Sequence, residues 1–443
     1  MNRPYDELEV FRLPEETEMS LDTLRELLHW HRNTVYSRYR KLRAAYISDH
    51  AILHEPKKPP YKPDNRIVVN FPKYIVDTMN GFFIGNPIKT TTDDEAVSQF
   101  VEYLEQYNNQ DDNNSELSKI CSIYGRGYEM YYADETANLC ITYLTPIEAF
   151  MVFDESIVAQ PLFFVRRYVD HDNVEWGSVS NRDGVRYFKI TGQLQWIDDW
   201  QPHYFPGVPA TEFVENAERQ GLFEPVLSIV NAYNKAISEK ANDVDYFADA
   251  YLKVLGAAIE NDDLQYIRDN RVVNFPGDDA EKILVEFMDK PNSDTTQENL
   301  LNRLERLVFQ ISMIANISDE DFGTSSGIAL KYKLQAMSNL EKTKERKFVA
   351  GMNRRYKLLF GHPASKVSAD AWVGLNYRFT PNIPANLQEE AEISARLEGI
   401  TSQETQLKAL SIVDNVKEEM ARIAEEEKNR GVSVLEQSMF GDA

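Results

Sequence analysis

The sequence is short of the residues that metal, redox and disulfide chemistry need. Its 443 residues include 2 cysteines and 7 histidines. Two cysteines, Cys121 and Cys140, cannot frame a disulfide-stapled fold, so a reducing compartment is expected and both thiols should pack as small apolar groups. His50 and His54 stand four apart, but Pro56 follows and no third ligand lies near; they are expected to be ordinary surface histidines, with no metal bound. No apolar run approaches the ~20 residues of a membrane-crossing helix, and no membrane partner is expected. The N-terminal MNRPYDELEVFRLPEE has no apolar stretch behind a basic start, unlike a secretion signal. Basic charge is also scarce. Lys+Arg number 48 against 71 Asp+Glu, a net charge of -23 with a pI near 4.8, which speaks against a sequence-reading DNA binder.

Catalytic motifs are missing as well. There is no G-x-x-x-x-G-K-[ST] phosphate loop, and the glycine pair Gly323 and Gly327 encloses no lysine. Neither H-E-x-x-H nor G-x-S-x-G occurs. Adjacent carboxylates such as Asp93-Asp94 carry little weight among 71 acidic residues. No catalytic residues and no cofactor are expected.

What is present is an ordinary globular composition, 42% hydrophobic with 23 Tyr and 22 Phe, in an α+β arrangement. Leu24, Leu27, Leu28, Val35, Tyr39, Leu42 and Tyr46 recur at a helix period between Leu21 and Ile47. Pro56, Pro59, Pro60 and Pro63 mark an extended linker, followed by a short strand from Asn65 and a helix ending near Gly85 and Pro87. Residues 127–200 alternate like strands, with turns at Asp134 to Asn138 and a two-residue hairpin loop at Thr191-Gly192. From Pro225 a helix carries Val226, Val230, Tyr233, Ile237, Val244, Phe247 and Tyr251 on one face. Short strand candidates follow, including Val272 to Phe275 and Ile283 to Phe287, too few for an independent sheet and expected to pair with a neighbouring subunit. A second helix opens with a capping-box spacing, Thr295 to Glu298, and shows Leu301, Leu304, Val308 and Ile311 on one side. A third runs from about Ile328 to Phe360, where Gly351 marks either close packing or a kink. The last 60 residues, after Pro381 and Pro384, are helical and acidic.

Charge alternates along the second half. Residues 237–321 carry a net -11, residues 328–360 a net +7, and residues 385–430 a net -5. Such runs are ordinarily solvated helix faces.

Three segments carry a resemblance. NRIVVNFPKYIVDTMNGFFIGNPIKT, FEPVLSIVNAYNKAISEKANDVDYFADAYLKVLG and FGTSSGIALKYKLQAMSNLEKTKERKF resemble, in order, segments of portal proteins from tailed bacteriophages of Gram-positive hosts. The resemblance spans roughly residues 20 to 430, with a short C-terminal helical part. It implies a ring of about twelve subunits at one capsid vertex, through which a separate terminase pumps DNA inward and through which DNA leaves at infection. Residues 1–222 would be the wing, 223–250 the first stem helix, 251–292 the clip and 293–315 the second stem helix. Residues 316–327 would be the tunnel loop, 328–380 the long helix with a return strand to the wing, and 381–443 the crown and tail. The implied partners are further copies of the chain, terminase, the major capsid and scaffolding proteins, a head-tail adaptor, and double-stranded DNA passing without sequence specificity. The implied locations are the portal vertex of the virion and, during assembly, the host cytoplasm.

Within that frame the tunnel loop comprises Ile317, Asp319, Glu320, Asp321, Phe322, Gly323, Thr324, Ser325, Ser326 and Gly327. Its two glycines open backbone angles closed to other residues, and its acids repel phosphates. Lys331 and Lys333 would touch the DNA backbone transiently. Asp262, Asp263, Asp278 and Asp279 would be acidic clip turns that dock the terminase or the adaptor. As a plain connection, the loop would instead have Ser325 or Ser326 as N-cap of the next helix. Two other functions fit the residues alone: a non-conducting scaffold or adaptor, and a cytosolic enzyme with a site built from scattered carboxylates. A ring with a hole of duplex-DNA width would exclude the enzyme. Packaging loss with normal capsid assembly would exclude the passive scaffold.

Overall fold

The computed structural model describes residues 10–60, 62–248, 252–255, 284–287, 294–317, 327–382 and 387–410, with shorter stretches to 428. The chain divides into two compact units. One comprises residues 1–322 and 333–381, the other residues 323–332 and 382–443.

The larger unit is built on two sheets. Strands β5 (Ala149–Asp154), β6 (Pro161–Val169), β7 (Glu175–Ser180) and β8 (Gly184–Thr191) form an antiparallel meander. β1 (Phe11–Leu13) pairs parallel to β5 at one edge, and β9 (Gln193–Trp196) and β10 (Gln201–Pro202) both pair with β8. Period-two alternation gives this sheet two apolar faces. Phe150, Val152, Phe163, Val165, Val179 and Phe188 pack on Leu24, Leu27 and Leu28 of helix α1 (Leu21–Trp30). On the other face Ala149, Met151, Phe153 and Phe164 meet a second sheet through Tyr128, Val208 and Ala210. That sheet is ordered β11 (Ala210–Val214), β3 (Arg126–Ala133), β4 (Leu139–Leu144).

The helices begin and end where local chemistry dictates. α1 starts at Ser20, whose hydroxyl accepts from Thr23 N–H (3.1 Å). It passes through a π turn at His31–Val35 into α2 (Tyr36–Tyr46). α3 (Phe71–Ile84) has Asn70 as N-cap and Pro72 in its first turn, and stops at Gly85. α4 (Glu95–Tyr107) is capped by Asp94, which accepts from Ala96 and Val97. α5 (Gln110–Tyr124) ends at Gly125, with φ +83° and a position where a Cβ would lie 2.0 Å from the Arg219 carbonyl oxygen. Cys121 and Cys140 are both free and buried.

Beyond residue 222 the chain is mostly helical. A 3₁₀ turn, Glu224–Val226, leads into α6 (Leu227–Ala248). A two-stranded pair, β12 (Leu252–Leu255) with β13 (Leu284–Phe287), precedes α7 (Asp294–Ser312). α8 (Gly327–Phe360) is one uninterrupted helix of 34 residues, about 50 Å at 1.5 Å per residue. Near the end of this unit, β14 (Asn376–Arg378) pairs with β2 (Lys89–Thr91). In the smaller unit α9 (Leu387–Arg396) and α10 (Gln403–Lys408) are joined by a turn at Gly399 (φ +75°), and Gln406 donates back to the Leu397 carbonyl (3.1 Å).

Several local expectations change. Asn65–Val69 is extended but joins no sheet, because every second amide, of Asn65, Ile67 and Val69, is taken by a side chain of α6. Thr191 stays paired with Gln193, so Gly192 alone (φ +80°) turns the hairpin. α7 already includes Thr295, one residue past its start at Asp294, so Thr295 is not the cap. Of the Ile283 to Phe287 candidate, Leu284–Phe287 pairs with Leu252–Leu255 of its own chain, while Ile283 and Val272 to Phe275 lie outside the described residues. His50 is 2% exposed rather than a surface residue. Gly351 is a packing glycine, since a Cβ there would stand 2.4 Å from the Phe213 ring. Alanine ordinarily stabilises a helix interior by ~1 kcal/mol over glycine. Gly351→Ala is expected to do the reverse, because Phe213 is wedged against Phe348 (ring centroids 5.0 Å) and cannot yield freely. A lowered urea midpoint at unchanged m-value is the expected result, and a raised midpoint would show that Phe213 moves aside.

Candidate functional site: the helix pair and the flanks of the loop

α6 and α7 run antiparallel. At one end Lys240 pairs with Glu298, and Gln297 Nε2 donates to Asp243 (2.9 Å). At the other the Phe71 ring sits edge-on to both Tyr233 (5.0 Å) and Phe309 (5.8 Å), with Tyr74 against Phe309 (5.6 Å). The pair is thus stapled to α3 by four aromatic rings.

α6 buries two different kinds of residue. Phe223, Val226 and Val230, at and before its start, are wholly buried. Further along, the buried positions are Asn234, Ser238 and Asn242, at 1%, 2% and 5% exposure, while Val244 is 57% exposed. These three polar side chains form a ladder. Asn242 Oδ1 accepts from Asn65 N–H (2.6 Å), Ser238 Oγ from Ile67 N–H (2.9 Å), and Asn234 Oδ1 from Val69 N–H (2.9 Å). The periods match: two residues of extended chain span about 6.6 Å and four helical residues about 6 Å. An extended segment can therefore lie along one helix face with every second amide satisfied. Lys58 adds a two-pronged ion pair to Glu239 (2.8 and 2.9 Å), and the Asn65 side chain donates to Asp245 (2.5 Å). The apolar stripe read from the sequence runs along a different face of this helix and leaves Asn234, Ser238 and Asn242 out. The missed signal was polar residues at i, i+4 and i+8 with short side chains of amide or hydroxyl type.

The chain just past α7 is held firmly. α7 ends at Ser312, and Met313 takes the left-handed conformation (φ +61°) that terminates it. Ile314 is buried. The Tyr74 hydroxyl donates to the Ala315 carbonyl (3.4 Å) and accepts from Ile317 N–H (2.8 Å). Ile317 itself is half-exposed. A groove of about 1000 Å³ beside this end is lined by Glu305, Phe309, Met313, Asn316 and Lys333 among others. Asp319, Glu320, Asp321, Phe322, Gly323, Thr324, Ser325 and Ser326 lie outside the described residues, as do Asp262, Asp263, Asp278 and Asp279. Gly327 is the first residue of α8 rather than part of a coil. The side chain of Lys331 is outside the described set, and Lys333 is exposed.

α8 is anchored by buried charge. Arg355, 0% exposed, donates to both carboxylate oxygens of Glu129 (2.8 and 2.6 Å) and to Asn114 (2.7 Å). Lys344 Nζ reaches Glu215 (2.5 Å), Ser122 Oγ (2.7 Å) and the Ser118 carbonyl (3.2 Å). Tyr356 OH donates to Glu105 (2.7 Å), whose pKa is raised by burial. The positive run on this helix is therefore no uniform solvated face, since two of its charges are spent inside the body. Among the described residues, no group of three His, Cys, Asp or Glu could hold a metal ion, and no helix is long and apolar enough to cross a membrane.

Residues 26–431 match the model of the family described as phage portal protein, SPP1 Gp6-like. A portal protein of Clostridium phage phiCD119 is 20% identical over 395 residues, covering 82% of this chain and 85% of its own. Among solved structures, the neck of an empty GTA particle computed with C6 symmetry is similar at a TM-score of 0.43 and 11% identity, over 76% of this chain and 88% of the other. The α+β chain, matched across nearly its whole length, belongs to the SPP1 Gp6-like phage portal protein family.

Proposed function

We propose that this portal-family chain assembles as a closed ring of about twelve copies at one capsid vertex, admitting DNA driven by a terminase and releasing it at infection. Residues 1–222 act as the wing, 223–250 and 293–315 as the stem helices, 251–292 as the clip, 316–327 as the tunnel loop and 381–443 as the crown and tail. The observation that carries this reading is the antiparallel pair α6 and α7, stapled at its base by Phe71, Tyr74, Tyr233 and Phe309. From that base a rigidly pinned flank leads into segment 318–326. The half-exposed Leu300 and Ile311 and the exposed Val244 are apolar surface that ring closure would cover without leaving free edges. The net -11 over residues 237–321 suits a conduit, because a channel that bound phosphates would release counterions and hold the DNA. The role is structural, without turnover. The clip acids Asp262, Asp263, Asp278 and Asp279 dock terminase or the head-tail adaptor, and the body of the ring contacts capsid and scaffolding proteins.

Negative-stain images of the purified chain test the assembly, a ring with a duplex-wide hole being expected. A ~51 kDa monomer at micromolar concentration in light scattering would overturn it. In a packaging assay Gly323→Pro should impair DNA entry while rings form normally, and full packaging would reduce the loop to a connector. Charge reversal at Asp278 and Asp279 should weaken partner docking with rings intact.

A further inference from the structure

The first rung of the ladder continues into the body. Val69 N–H donates to Asn234 Oδ1 (2.9 Å), and Asn234 Nδ2 lies 3.0 Å from His50 Nδ1. Asn234 and His50 are 1% and 2% exposed, so water does not substitute for either bond. The proton positions follow from what each group can do. A backbone N–H only donates, so it turns the Asn234 oxygen toward Val69 and the amide nitrogen toward His50. That nitrogen also only donates, so His50 Nδ1 is an unprotonated acceptor and the ring carries its proton on Nε2. Nε2 has no partner in hydrogen-bonding geometry.

A second proton on His50 breaks this chain. It must go on Nδ1, where it faces the amide N–H of Asn234. Rotating the amide restores an acceptor to His50 but points its NH₂ at Val69 N–H. One bond is lost in either arrangement, and both places are buried. Burial holds the His50 pKa below the usual histidine value, while the Ala45 carbonyl, the Asn70 side chain and the Asp49 charge favour the proton. Asp49 itself contacts His54 Nε2 (2.5 Å), and on α6 the neighbouring acid Glu239 is engaged by Lys58.

We propose that the His50–Asn234–Val69 chain is a proton-sensitive latch, which holds the Val69 end of the extended segment on α6 when His50 is neutral and frees that end when His50 is charged, the Asn242 and Ser238 rungs staying in place. Asn234 and His50 are positioning residues in this device. Release would leave the segment tied to α6 at Asn65 and Ile67 and loosen it only where it enters α3 at Asn70.

Hydrogen exchange on the assembled protein tests it. Protection of the Val69 amide, corrected for intrinsic rate, is compared with protection of β5 from pH 7.5 downward. Between the usual histidine pKa and the lowered pKa of the latched His50 the ratio should fall by up to tenfold per pH unit, the slope of a single-proton step. His50→Gln keeps an acceptor for Asn234 and cannot titrate, so its ratio should stay flat. Asn234→Ala should lack protection at Val69 at every pH. A flat ratio in the unmodified protein, or the same slope in His50→Gln, overturns the latch. If His50→Gln fails to fold, histidine ¹⁵N shifts in the unmodified protein decide: the Nε2-protonated tautomer is expected at neutral pH, and the Nδ1-protonated one is incompatible with the proposal.

Discussion

Arg355→Leu is expected to lower folding stability by about 3–5 kcal/mol, the cost of leaving a buried charge without its partner. The leucine would strand the Glu129 carboxylate, 1% exposed, and deprive Asn114 of a donor. Gln110 (3.2 Å) and Tyr131 (3.0 Å) also donate to Glu129, but neither brings a charge. Burial disfavours the charge on Arg355, and Glu129 more than offsets this, so the guanidinium pKa is pushed up. Arg355 ties α8 to both β3, through Glu129, and α5, through Asn114. Loss of the tie should therefore appear as a large drop in the urea midpoint and as fewer assembled rings at a given protein concentration. Glu129→Leu with Arg355→Leu removes both charges together and should cost less than the sum of the single changes by about 1–3 kcal/mol. A single-variant loss below ~1 kcal/mol would mean that water enters and solvates Glu129, against the closed packing seen around it.

Where local chemistry alone decides a feature, it was legible in the sequence. Gly85 and Pro87 announce the end of α3, Pro225 announces the start of α6, and alternating aromatic and β-branched runs give the strands β3, β4, β6, β8 and β9. The sequence could not distinguish polar residues that face water from polar residues that read a backbone. Asn234, Ser238 and Asn242 have the composition of a solvated face, and only the extended segment lying across them makes them buried. The same ambiguity hid Arg355 and Lys344 inside a basic run, because their carboxylate partners Glu129 and Glu215 are more than 100 residues away. A period of 3.6 identifies a face and not its neighbour. The portal resemblance was legible for another reason: it rests on three segments in order, and residues 26–431 match that family. Its finer assignments, most of the loop residues and the clip acids, fall outside the described residues.

Acid should destabilise this chain before its many carboxylates titrate, and His31 is the main cause. The ring is 1% exposed and stacks on Phe150 (4.7 Å, 21°), with Nε2 2.8 Å from the Pro146 carbonyl. Burial, reinforced by Arg167, Arg126 and Arg32 and opposed by the Pro146 bond, lowers its pKa from 6.5 to about 4. The folded state therefore refuses a proton that the unfolded chain accepts near pH 6.5. Between pH 6.5 and 4 the unfolded state binds more protons, so stability falls as pH falls, and the contribution is intact above that window. The expected loss is about 2 kcal/mol by pH 5 and roughly 3 kcal/mol by pH 4. His203 and His362, both lowered by burial, pull in the same direction; each accepts a backbone N–H at Nδ1, from Phe205 and Ala364. Glu105 and Glu341, raised by burial, oppose it by taking protons more readily in the folded state. His31→Phe separates these effects. It forfeits the Pro146 bond, which shifts stability at every pH, but it cannot titrate. Urea midpoints at pH 7 and pH 5 should lie closer together in His31→Phe by the equivalent of about 2 kcal/mol. If the two proteins keep the same pH dependence, the proton uptake belongs to another group, and the π turn that buries His31 has no part in acid sensitivity.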